Sequence, residues 1–275
     1  MSSNPQETQT YNGNRGIDRL QFLVSHRYKF LLGWSAKCGC SSIKKWYVKS
    51  HQLDAPEDGN IHKLIGYGGT EYSRVDWEDP DRYKQYHKFL VVRNPYARLV
   101  SGFVNKYVGR FYDNDGWDSF KEFIQVLEED RELERINRHH FTPQFSEDYE
   151  KFGNHYTFDK VFKLEDLQKG LDKVSRITGA PRTLVSVANK SKHIETAFKG
   201  NEVSTWSIAE LKAKRRNLPP SHCFYTYALV EQVKRIYQKD FDQLKALGIQ
   251  YRQPKLAGKE TFPGKLNALL DSGNR

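Results

Sequence analysis

Tyr28-Lys29-Phe30-Leu31-Leu32-Gly33-Trp34 runs directly into Ser35-Ala36-Lys37-Cys38-Gly39-Cys40-Ser41-Ser42. The first stretch is an apolar burst ending in Gly-Trp, the pattern of a strand buried in a parallel sheet. The second is a short turn of small residues. From Ser41 the apolar period changes, with Ile43, Trp46, Tyr47 and Ser50 falling on one helical face. Strand, small-residue loop and helix in this order predict an anion cradle. Small side chains let backbone N–H groups curl around an oxyanion, and the helix N-terminus points its dipole at the same place. Ser41 and Ser42 add hydroxyl donors, Lys37 adds a cation, and Cys38, Gly39 and Cys40 form the turn. The Walker pattern G-x-x-x-x-G-K-[ST] is absent, because the Lys stands four residues before Ser41 rather than beside it. The competing readings are a plain helix cap with an incidental Lys, or a metal site at Cys38-x-Cys40. No second Cys/His pair stands at zinc-finger spacing to support the latter.

A second unit follows the same plan. Lys88–Val92 (KFLVV) reads as a buried strand, Arg93-Asn94-Pro95 breaks it, and Pro95 opens a helix expected to run to about Val108. Arg93 therefore sits at the carboxyl end of a parallel strand, where open α/β sheets bind ligands. Ser101 lies two turns along that helix, placed to close on a phosphate with the fork of Arg93. Arg93 could equally form a surface ion pair, and Arg98 could tie the helix to the sheet.

Elsewhere, residues 1–20 read as a disordered polar arm, 21–255 as the folded domain and 256–275 as a polar tail. A short strand is expected at Ile61–Ile65 and a helix from Pro80 to His87. Ser119 and Glu122 form a capping box, Lys160–Leu164 is a third strand candidate, and a helix follows to about Ile177. One long helix is expected from Ser221 to Leu247, stopped by Gly248. Strands alternating with helices give an α/β fold: a single domain with a central, largely parallel sheet flanked by helices.

Composition narrows the partners. The 275 residues carry 44 Lys and Arg against 34 Asp and Glu, a net charge of +10 that favours an anionic ligand. Aromatic residues make up 13% of the chain, enough to build a core and to exclude wholesale disorder. No apolar run approaches the roughly 18 residues that a membrane span needs. The first ten residues do not resemble a secretory signal, and the expected location is cytoplasmic. The densest basic cluster, Lys212-Ala213-Lys214-Arg215-Arg216, follows a helical pattern from Ser207 and reads as a solvated helix end. A nucleic-acid patch is the alternative there, without any accompanying recognition motif.

The two loops together resemble those of the PAPS-dependent sulfotransferases, in the carbohydrate (family 2) branch. That branch has a first loop like K-C-G-C/S-S-x and a second like V-R-x-P-x-x-R-L-V-S-x-x-x-x-K. Here the counterparts are Lys37 to Ser42, and Val92 to Ser101 with Lys106. Arg93 and Ser101 stand eight positions apart, as do the family's 3′-phosphate ligands. His140-Phe141-Thr142-Pro143-Gln144 is similar to the branch's H-W-x-P-Q. Lys190, Ser191, Lys192 and His193 fall where relatives place a basic loop over the nucleotide. The resemblance spans about residues 28–250. It lacks the N-terminal anchor of the Golgi members and their cysteine pair after H-W-x-P-Q.

The resemblance implies a P-loop-like sulfotransferase fold and transfer of a sulfuryl group from 3′-phosphoadenosine 5′-phosphosulfate (PAPS), by in-line displacement, to a hydroxyl. The product is adenosine 3′,5′-bisphosphate, no metal is required, and a glycan is the expected acceptor. It gives Lys37 the bridging oxygen and 5′-phosphate, Cys38 to Ser42 the phosphosulfate, Arg93 and Ser101 the 3′-phosphate, and Lys190 to His193 the cover. The acceptor hydroxyl needs a base with a pKa near neutrality, most simply a His. His62, between the two loops, leads and His140 is second; His87 reads as structural, and Asp76 or Glu78 stay open. Trp77 and Trp117 could stack on sugar rings or belong to the core. The alternatives are a P-loop-like nucleotide kinase and a basic nucleic-acid-binding protein.

Overall fold

The continuous apolar runs pair as strands because only a sheet satisfies their backbone groups while burying both faces. In a computed structural model, β2 (Phe30–Ser35) and β3 (His87–Val92) pair in parallel, in register from Phe30 opposite His87 to Trp34 opposite Val91. β4 (Lys160–Lys163) extends the sheet in parallel along β3. β1 (Leu20–Ser25) closes the other edge antiparallel to β2, giving the order β1-β2-β3-β4. The description covers residues 20–256 apart from 55–58, 66–71, 73–74, 77–78, 110–115, 131–135, 186–197, 199–200 and 216. The α/β class and largely parallel sheet match the sequence reading. β1 was not foreseen: its hairpin turn, His26 to Lys29, has neither Gly nor Asn-Gly, and Lys29 itself takes the positive φ of 51°.

Helices cover both faces. α1 (Cys40–Ser50) buries Ile43, Trp46 and Tyr47 against Phe30, Leu32 and Phe89, and α7 (Leu167–Thr178) adds Leu171 and Val174 to the same layer. The alternate strand residues Phe22, Leu31 and Leu90 face Phe145, Phe152 and Leu244. A helical layer beside the sheet joins α3 (Pro95–Phe103), α4 (Phe120–Glu129) and α9 (Tyr227–Ile236) around Phe103, Phe123 and Val233. Among the described residues no helix is long and apolar enough to cross a membrane.

Several elements differ from expectation. Ile61–Ile65 is not a strand: Asn60 accepts the His62 N–H and nucleates the short helix α2 (Ile61–Leu64). The helix after Pro95 ends at Phe103 and continues as one π turn, Val104–Val108, in which Lys106 is buried. Pro80 begins only a 3₁₀ turn to Tyr83. The expected 221–247 helix is three pieces: a 3₁₀ turn at Ser221–Phe224, then α9, then α10 (Gln238–Ala246). Thr226 recaps α9, and Tyr237 breaks the ladder where its hydroxyl donates to Phe141 O at 2.7 Å. Leu20 belongs to β1 rather than to an arm, and the expected arm and tail otherwise fall outside the described residues except for Leu256.

Gly39 caps α1 at φ +87°, and a Cβ there would lie 2.5 Å from Leu164 Cδ1. The left-handed backbone favours glycine, and a Cβ would also have to push the Leu164 methyl aside. Gly39→Ala is expected to destabilise the fold by about 2–4 kcal/mol, read from the urea unfolding midpoint.

Candidate active site

Because β2 and β3 run parallel and in register, the loops leaving their carboxyl ends emerge side by side. The positive φ of Lys37 (68°) and of Gly39 curls the first loop into the start of α1, whose first internal bond is from Ile43 N to Gly39 O. The Arg93 guanidinium turns back across the gap and donates from Nη1 to Lys37 O at 2.9 Å. Burial lowers the Arg93 pKa, and the nearby Glu165 carboxylate acts against that; the group stays cationic at any physiological pH. Arg98, only 1% exposed, donates from Nε to Ala36 O (3.0 Å) and from Nη2 to Thr142 O (2.7 Å), so it is the strut between α3 and the first loop.

Behind the loop lies a lysine that sequence reading passed over. Lys44 sits on the apolar face of α1, fully buried, and donates to Ile65 O at 2.7 Å. Burial holds its pKa below the ordinary lysine value. Its Nζ is 3.4 Å from His62 Nδ1, while His62 Nε2 is 3.2 Å from Ser41 Oγ. An ammonium facing Nδ1 makes that nitrogen the acceptor, so the ring donates from Nε2 to Ser41. A Lys on a helix's apolar stripe was the available signal.

α5 (Arg138–Phe141) presents two adjacent imidazoles, with ring centroids 4.9 Å apart. His140 Nδ1 lies 2.7 Å from Asn137 Oδ1, a bond that places the ring proton on Nδ1 and the lone pair on Nε2. Burial first, then the charge of Lys106, holds His140 far below the ordinary imidazole value; Lys37 and Arg98 add to this. His139 is pushed down to about 4 by burial, again with Lys106, Arg98 and Lys44 as the nearby cations. The structure thus gathers Lys37, Lys44, Arg98 and Lys106 within electrostatic reach of two neutral histidines.

The remaining candidates are placed less closely. Ser101 is partly exposed on α3, two turns beyond Arg93. Cys38 is buried, its thiol pushed up to about 11 by burial, and Cys40 is raised for the same reason, so both are neutral fillers of the turn. Among the described residues no group of three or more His, Cys, Asp or Glu is arranged to hold a metal ion. Lys190, Ser191, Lys192 and His193, like Trp77 and Glu78, lie outside the described residues. Trp117 is buried in the helical core, and His87 faces Asp159 at 3.5 Å at the start of the interior strand β3. The basic cluster stands at the C-terminal end of α8 (Ile208–Ala213), where Lys214 and Arg215 are exposed.

The family model described as the sulfotransferase family matches residues 20–245, which takes in the whole sheet and both loops. The chain belongs to the sulfotransferase family. It is therefore an enzyme of sulfuryl transfer, with the single-domain α/β fold of that family. No curated protein and no solved structure gives a significant match.

The buried histidines make the stability of this sulfotransferase pH-dependent. His51, stacked on Tyr47, and His139 are both pushed down to about 4, chiefly by burial. Between pH 7 and 5 the unfolded chain takes up protons that the folded chain refuses, so stability falls as pH falls. Asp240, raised by burial, works in the opposite sense, so the comparison with His139→Asn isolates the histidine part. The urea midpoint is expected to drop between pH 7 and 5, and to drop less in His139→Asn; a flat midpoint would contradict this.

Proposed function

We propose that this enzyme moves the sulfuryl group of PAPS to a hydroxyl of a carbohydrate acceptor. The observation that carries the donor assignment is the bond from Arg93 to Lys37 O, which holds the two anion loops as one unit. A ligand with phosphates at two separated positions fits two adjoining cradles better than a nucleotide with a single phosphate chain does. Gly39, whose Cβ would strike Leu164, also keeps the first cradle tight.

On this reading Lys37 lies at the bridging oxygen and 5′-phosphate, where charge grows as the S–O bond breaks. The turn from Cys38 to Ser42 holds the phosphosulfate through backbone N–H groups and the Ser41 and Ser42 hydroxyls. Arg93 and Ser101 hold the 3′-phosphate, with Lys190 to His193 as its cover. PAPS, when bound, supplies an activated sulfuryl group. The protein's own work is to align the acceptor hydroxyl, take its proton and stabilise the leaving phosphate.

For the base the geometry favours His140 over His62. The Asn137 contact leaves the Nε2 lone pair of His140 available, and the ring is neutral. His62 faces Lys44 with one nitrogen and Ser41 with the other, which suits it to holding the donor loop. The contact with Ser41 is also what would favour His62 as the base, so the two are separated by experiment. His140→Ala is expected to lower kcat by about 100-fold or more with donor affinity unchanged, whereas His62→Ala is expected to weaken donor binding. The reverse pattern would give the base to His62.

Lys37→Ala is expected to abolish transfer of labelled sulfate while the fold survives. The donor class itself is tested by thermal shift. Adenosine 3′,5′-bisphosphate at about 100 times its Kd should add ~2.7 kcal/mol, roughly 5–10 °C for a chain of this size. Stabilisation by ATP–Mg²⁺ instead would favour the kinase alternative. The aromatic-rich composition supports a sugar acceptor, and assay of uptake into oligosaccharides against simple phenols tests it.

A further inference from the structure

The segment after α5 does something that none of the loop motifs accounts for. Gln144 is 3% exposed and its side-chain amide touches both loops. Its Oε1 accepts from Arg93 N (2.8 Å) and from the Cys38 thiol (3.1 Å). Its Nε2 donates to Arg93 O (2.9 Å), so one amide group satisfies both backbone groups of Arg93 as a neighbouring strand would. The Gln144 carbonyl in turn accepts from Ser35 Oγ at 3.2 Å, at the end of β2.

The orientation of that amide is itself determined. Asp240, fully buried in the first turn of α10, accepts from Gln144 Nε2 (3.3 Å) with one oxygen and from Phe145 N (3.1 Å) with the other. A carboxylate offers only acceptors. The NH₂ end of Gln144 must face Asp240, which leaves the oxygen end for Arg93 N and Cys38. With the amide reversed, the NH₂ would meet the Arg93 N–H and the oxygen would meet both the Arg93 carbonyl and the carboxylate, so its bonds to Arg93 and Asp240 would be lost together.

We infer that Gln144, oriented by Asp240, is a positioning residue that sets the spacing between the loop at Lys37–Ser42 and the loop at Arg93. The inference rests on the proposed reading in which each loop takes one phosphate of the same nucleotide. Its consequence lies in coupling between the two phosphate subsites rather than in the strength of either. A phosphate held by one loop gains from the other only if the loops stand at the separation the ligand requires. Loosening the amide therefore penalises a two-phosphate ligand and spares a one-phosphate ligand.

The test compares adenosine 3′,5′-bisphosphate with adenosine 5′-monophosphate by titration calorimetry on the full chain, in wild type, Gln144→Leu and Asp240→Asn. The preference of wild type for the bisphosphate is expected to shrink roughly ten-fold in both variants, with monophosphate affinity changed less than about two-fold. Gln144→Asn, which keeps an amide but shortens its reach, serves if either variant fails to fold. Equal weakening of both nucleotides would mark Gln144 as merely structural, and an unchanged preference would also overturn the inference. If wild type bound neither nucleotide, the donor assignment itself would fall, an outcome distinct from a preference that survives the substitutions.

Discussion

The parallel pairing of β2 with β3 is the constraint on which the site depends. Antiparallel neighbours would send their following loops to opposite ends of the sheet; parallel ones send them to the same end. With Trp34 opposite Val91, the residues that follow each strand leave within bonding distance, and Arg93 reaches Lys37 O directly. The apolar runs that form these strands are thus part of the chemistry. A slip of one residue would turn Phe30, Leu32 and Trp34 away from α1 and separate the loops together. Burial of the aromatic layer against α1 is what resists that slip.

Holding cations out of water is costly, and the fold meets that cost with carbonyl oxygens. Arg98 bonds to Ala36 O and Thr142 O, Arg93 to Lys37 O, and Lys44 to Ile65 O. Neutral acceptors stabilise a cation without cancelling its charge, so the positive field persists around the two loops. Asp240 is the buried carboxylate of this region, and it is engaged by Gln144 and Phe145 N. The cluster is therefore positive by construction, whereas the Lys212 cluster is a solvated helix end whose field is screened by salt.

Much of this was legible in the chain, and the divisions are instructive. The loops could be read because they join local pattern to local function: an apolar burst, small residues, then a helical period. Arg98 was readable as a strut, since a buried Arg in a helix after such a strand has carbonyl ends nearby. Lys44, Asp240 and the role of Gln144 were not. Their partners lie 21, 96 and 51 residues away along the chain; a Lys on an apolar stripe signals that something holds it, but nothing local says what. The errors at Ile61–Ile65 and in the long C-terminal helix have a similar source. Asn60 capping and the Tyr237 contact to Phe141 are decisions made by single hydrogen bonds that override an apolar pattern too short or too regular to show them.

Burial and the nearby cations together keep the histidines of α5 neutral. His140 lies far below its ordinary value first because it is buried, and then because Lys106, His139, Lys37 and Arg98 stand near it. In that condition it is a weak base, because burial and the nearby cations both disfavour the protonated ring. On the proposed reading the donor's phosphates neutralise those cations. That relieves the cations' share of the suppression and leaves the larger share, which comes from burial. On the same reading Lys37 and Arg93, which follow β2 and β3, serve recognition of the donor, while Arg98 and Lys106, from α3 and the π turn after it, lie behind them and help keep the α5 histidines neutral.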